Sequence, residues 1–266
     1  WIVLSVLLMA RVGYLVNVPF LPVVLACHAF TWYYGGEVRP YSIQIAFGAG
    51  LLLAVVSVLR SPPDSRTSLF SFVIFGSALC TASMLGVVPC AVVGIVVLLS
   101  LSRRGWTPRL SEKLTMLLGA LYLATLGIYY AWTLLHGKGS QMIGAWDVGT
   151  KNLAFAGYEL LGFVGFGPGR YDLRELAMTG GLPGAVSGAV RPSMLGSLVL
   201  LGIYLLAGWN LWRKHRLGEC PEMDFAAPIA RIVFAASSAI FALGMIVHYP
   251  FWGRHLAPIF PFIVFL

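Results

Sequence analysis

Two segments of this 266-residue chain gather side chains that can handle a phosphate and a proton. The first runs from Lys151 to Met178, KNLAFAGYELLGFVGFGPGRYDLRELAM, with Glu159 in an apolar stretch and Arg170, Asp172 and Arg174 close behind it. The second runs from His248 to Pro258, HYPFWGRHLAP, and holds Arg254 beside His255. An arginine suits a phosphate because its planar fork donates two parallel hydrogen bonds. Glu159 or Asp172, as carboxylates, could take a proton as general base. A helix opening at Arg254 adds backbone N–H groups that converge with the guanidinium on an anion. The bland alternative is an interfacial anchor. Arg254 would then snorkel to lipid headgroups, and Tyr249, Phe251 and Trp252 would form part of an aromatic belt.

The elements that must carry these residues are short. Leu153, Phe155, Ala156, Leu160, Phe163 and Val164 predict a half-helix over 152–165, too short to span a bilayer. Gly167-Pro168-Gly169 reads as a turn, and 171–178 as a second short helix. Both are expected to lie near the outer headgroups. Pro258 and Pro261 are expected to bend the first turns of the helix that follows Arg254.

Other chemistries find little support. Cys27, Cys80, Cys90 and Cys220 form no CxxC pair and no metal spacing with the histidines, so neither a metal centre nor a disulfide framework is expected. No GxxxxGK[ST] motif or long glycine-rich nucleotide loop appears, and no cofactor is implied. The net charge of +8 sits in short loops between apolar runs, which argues for membrane lipid and against nucleic acid as its partner.

The class follows from composition. Hydrophobic residues fill 59% of the chain and charged ones only 11%, against roughly 25% charged in a soluble domain. Mean hydropathy is +0.85. An all-α, polytopic transmembrane bundle is expected, a single membrane domain over 1–266 with short interfacial helices in an outer loop. Trp1 opens into an apolar run and the chain stops inside another, which predicts a stretch cut from a longer protein at both ends.

Runs of about 20 apolar residues appear at 12–34, 41–59, 114–136, 194–212 and 226–247, with partial ones at 1–10 and 254–266. The stretch 68–102 would be about 50 Å long as one helix at ~1.5 Å per residue. Gly86 and Pro89 divide it into a hairpin, 68–86 and 89–102. That division puts Arg11, Arg60, Arg66, the arginines of 103–113 and the basic cluster after Trp212 on one face, the cytoplasmic one by the positive-inside rule. The loop 137–193 and the turn at 248–258 then lie outside.

The run GRHLAPIFPF resembles the R-[YH]-L-x-P-x-x-P element of the GT-C superfamily, the polyprenyl-phosphate-dependent membrane glycosyltransferases. Arg254, Pro258 and Pro261 match, with His255 where Tyr is usual. The resemblance implies an integral enzyme of the bacterial cytoplasmic membrane that takes a sugar from a polyprenyl-phosphate carrier and passes it to an acceptor outside. It also implies that Arg254, His255, Arg170 and Arg174 bind the lipid phosphate and that a carboxylate activates the acceptor. The superfamily's acidic pair, Asp-Asp or Asp-Glu, does not occur in this chain, so the resemblance places it upstream of Trp1. A polymerase or ligase of lipid-linked glycans is the neighbouring alternative. A transporter would bury ionisable residues mid-helix, and Arg231 alone lies within a span, near its cytoplasmic end. A non-catalytic membrane protein stays open.

Overall fold

In the computed structural model, residues 1–35, 40–60, 66–136, 148–163, 192–216, 223–248, 251 and 253–266 are described, and they form an all-α bundle without strands. The first apolar stretches divide differently from the expected break between 10 and 12. Helix α1 runs Ile2–Val16, and α2 (Leu21–Cys27) and α3 (Ala29–Gly35) share the rest of the 12–34 run. Asn17 causes the break. It takes the left-handed conformation (φ 59°), which Asn tolerates better than most residues, and Val18 N–H closes on the Gly13 carbonyl at 2.8 Å. Pro22 then sits in the first turn of α2, where its missing N–H costs nothing. His28 separates α2 from α3. Its Nδ1 accepts Phe30 N–H at 3.1 Å, a side-chain cap on α3. That bond requires a neutral ring with the proton on Nε2.

Helix α4 (Tyr41–Arg60) is the axis of the bundle. It packs against α1, α3, α5 (Arg66–Ala82) and α6 (Val87–Arg103), and near the chain end against the 3-10 segment Gly253–Ile259 and α11 (Phe260–Phe265). Apolar side chains all round it, from Ile45 to Leu59, account for that burial. Two glycines set how near its neighbours come. A Cβ on Gly48 would strike the Pro258 carbonyl oxygen, and one on Gly50 would strike the Phe75 ring. Gly48→Ala is therefore expected to cost about 3 kcal/mol, because backbone and not a flexible side chain must move. Gly202→Ala, where a Cβ meets open space, serves as control. Thermal unfolding in detergent reads the difference, and equal midpoints would mean that α4 and the 3-10 segment do not touch.

The stretch 68–102 is two helices. α5 ends at Ala82, a 3-10 turn spans Met84–Gly86, and Pro89 falls in the first turn of α6. Cys90 Sγ lies 3.4 Å from the Gly76 carbonyl, and Gly94 faces Phe72, so α5 and α6 run antiparallel. Helix α7 (Leu110–His136) starts with a side-chain cap: Glu112, buried, accepts Arg109 N–H at 2.8 Å. α8 (Thr150–Leu160), α9 (Pro192–Arg216) and α10 (Met223–Val247) complete the order.

Among the described residues four helices are long and apolar enough to cross a membrane: Tyr41–Arg60, Met84–Arg103, Leu110–His136 and Ala226–Val247. α7 shows what surrounds them. Leu114, Leu118, Leu121, Ile128 and Trp132 stand exposed along it. An apolar surface of that length would aggregate in water and is at home in hydrocarbon.

The two ends of α4 differ in chemistry. At its C-terminus the Arg104 guanidinium donates to the Leu59 carbonyl, a cation on the negative end of the helix. Arg60, Arg103 and Arg104 therefore share that end. At the other end Tyr41 packs edge-on against Tyr34, ring centroids 5.3 Å apart. Twenty residues separate the ends by about 30 Å, the depth of a bilayer core.

Candidate functional site

The polar cluster at the Tyr41 end is built on α8. Asn152, Ala156 and Glu159 recur at helical spacing on one face, and Ala156, Glu159 and Leu160 are buried. Asn152 fixes the start of the helix: its Oδ1 accepts Gly149 N–H at 3.1 Å, and its Nδ2 reaches toward the Phe251 carbonyl at 3.5 Å. Gly162, with φ +81°, ends it, and His28 lies where a side chain on Gly162 would go.

Glu159 is 1% exposed. Its Oε1 accepts the Tyr34 hydroxyl at 2.6 Å, and its Oε2 accepts Gly253 N–H at 2.7 Å. A buried carboxylate is tolerated only when it is hydrogen-bonded, and here α3 and the 3-10 segment each supply a donor. Gly253 has no room for a side chain, since a Cβ there would fall on the carboxylate. Arg254 follows at once. It is half-buried and its Nε is shielded inside the protein, so the base of the guanidinium does not project into lipid. His255, also half-buried, lies 6.5 Å from the Phe251 ring, edge to face. Pro258 falls inside the 3-10 segment, and Pro261 in the first turn of α11. Phe260 packs on His28 and Phe30.

Of the residues singled out in the sequence, Glu159, Arg254 and His255 are thus brought to one end of the bundle. Arg170, Asp172 and Arg174, with the expected 171–178 helix, lie outside the described residues. The half-helix expected at 152–165 is α8, and its apolar residues divide: Leu160 packs inward and Leu153 is exposed. Sequence reasoning missed Tyr34, Asn152 and Gly253. Nothing in a run of aromatic residues pairs Tyr34 with a carboxylate 125 positions away. Asn152, three residues after Gly149, is a capping spacing that could have been read.

The arrangement holds a carboxylate still against the backbone N–H that immediately precedes Arg254 and His255 in the chain. Among the described residues no three His, Cys, Asp or Glu side chains converge as metal ligands. A cleft of about 280 Å³ between α5, α6 and α7 is lined almost wholly by apolar groups and is not part of this cluster. No protein-family model matches the chain, and no curated protein or solved structure matches it.

Proposed function

We propose that this chain is the membrane region of a multi-pass glycosyltransferase of the bacterial cell envelope, moving a sugar from a polyprenyl-phosphate carrier to an acceptor on the outer face. The observation that carries the reading is the Gly253–Arg254 turn, pinned by Glu159 at the end of α4 remote from Arg60, Arg103 and Arg104. The positive-inside rule puts the arginine-rich end in the cytoplasm and the Glu159 end outside. In the transfer, the acceptor hydroxyl oxygen bonds to the anomeric carbon as the bond from that carbon to the phosphate oxygen breaks. The lipid phosphate leaves as an anion, and Arg254 stabilises the charge it gains. Both oxygens of Glu159 already accept hydrogen bonds. Glu159, 1% exposed, holds the turn, and Asp172 is the carboxylate we assign to take the proton of the acceptor hydroxyl.

The test uses the protein in sealed proteoliposomes loaded with polyprenyl-phosphate-linked hexose or pentose carrying a radiolabel. Envelope glycan that cannot cross the bilayer is supplied outside. Label is expected to move to the glycan, with release of polyprenyl phosphate. Absence of both transfer and polyprenyl-phosphate binding would sink the reading.

A further inference from the structure

We propose that Tyr34 is a positioning residue for Arg254, acting through Glu159; the phosphate part of this role rests on the glycosyltransferase reading. The link is continuous: Tyr34 hydroxyl to Glu159 Oε1 at 2.6 Å, and Glu159 Oε2 to Gly253 N–H at 2.7 Å. The first distance is that of a charge-assisted O–H···O⁻ bond, among the stronger kinds in a protein. Tyr34 cannot swing away. It is 1% exposed and wedged among the rings of Phe30, Tyr33 and Tyr41, at centroid distances of 4.6, 4.9 and 5.3 Å. Its hydroxyl therefore settles where one carboxylate oxygen lies, and the planar carboxylate then settles the other. The second oxygen takes the backbone N–H of the residue before Arg254, at a glycine where nothing larger fits. A held N–H at Gly253 fixes the first residue of the 3-10 segment, whose second residue is the arginine. A well-placed fork outbinds a wandering one because less freedom is lost on binding.

The contrary view makes Tyr34 part of the packing and nothing more. Packing loss weakens the protein whether or not Arg254 is present, whereas positioning of Arg254 has no effect once Arg254 is gone. A double-mutant cycle separates the two. In nanodiscs, Tyr34→Phe is expected to raise the Kd for radiolabelled polyprenyl phosphate about tenfold, the loss of one charged hydrogen bond. In an Arg254→Ala background the same change is expected to alter Kd less than twofold. Glu159→Gln gives a second route should Tyr34→Phe fold poorly, since its single acceptor oxygen cannot hold both donors. A ligand-free readout accompanies these: hydrogen exchange over 253–259 should quicken about tenfold in Tyr34→Phe. Unchanged exchange, or an equal loss of affinity with and without Arg254, overturns the proposal. Quickened exchange in a protein that binds no polyprenyl phosphate even as wild type overturns the glycosyltransferase reading instead, and leaves the link from Tyr34 to Gly253 standing.

Discussion

Arg254→Ala is expected to lower sugar transfer by about two to three orders of magnitude, the usual cost of removing one donor to a developing oxyanion. The folded protein should survive the change. Arg254 is half-buried, and the turn that carries it is held by the backbone N–H of Gly253, which the substitution leaves in place. Arg254→Lys should fall between, because a point charge replaces a planar fork. The lysine variant also discriminates between roles. An arginine that merely anchors the turn among lipid headgroups would be replaced by lysine with little loss, since both snorkel. Initial rates of label transfer, with yield from size exclusion in detergent, check the expectation. Full activity in the lysine variant would assign Arg254 to the membrane surface and not to the carrier.

Glu159→Ala should have the opposite profile, acting on the fold first. Truncation leaves the Tyr34 hydroxyl and Gly253 N–H buried without the acceptor they share, each costing ~1–3 kcal/mol. It also opens a void between α8 and the 3-10 segment. The sum, roughly 2–6 kcal/mol, is a large part of the 5–15 kcal/mol that keeps a typical domain folded. A thermal midpoint depressed by many degrees and a low yield are expected, with Glu159→Gln much closer to the wild type because its shape and one acceptor survive. Wild-type stability in the alanine variant would show that the carboxylate does not hold these segments together.

How far the sequence went can be judged from particular residues. The all-α class was legible because a hydrocarbon environment removes the need for surface charge, and composition records that directly. The runs at 41–59, 114–136, 194–212 and 226–247 each fall within one helix, α4, α7, α9 and α10, and Pro228 in the second turn of α10 forgoes one ladder bond without ending it. The run at 12–34 did not, since Asn17 and the capping nitrogen of His28 act through backbone geometry that hydropathy does not register. Glu159 and Arg254 stood out as charges in apolar surroundings, and Glu159 binds the backbone N–H of the residue before Arg254. The link between them was illegible. It runs through a glycine that looked like any turn, and the carboxylate is held from its other side by a tyrosine that looked like any interfacial aromatic. Tertiary proximity alone gives either one its role.

The hydrogen-bonded trio also imposes an order of events during synthesis. Tyr34, Glu159 and Gly253 are joined by two bonds yet lie far apart along the chain. At ~5–20 residues per second a ribosome needs roughly ten to forty seconds to pass from the first to the last. For the last 94 residues of that passage, roughly five to twenty seconds, α8 has a carboxylate on its inward face whose Gly253 donor is not yet made. Water and headgroups must satisfy the other oxygen meanwhile, which keeps α8 out of the hydrocarbon until the 3-10 segment arrives. Delivery of Gly253 is then the step that lets the carboxylate leave water, so closure of this end of the bundle waits on the 3-10 segment.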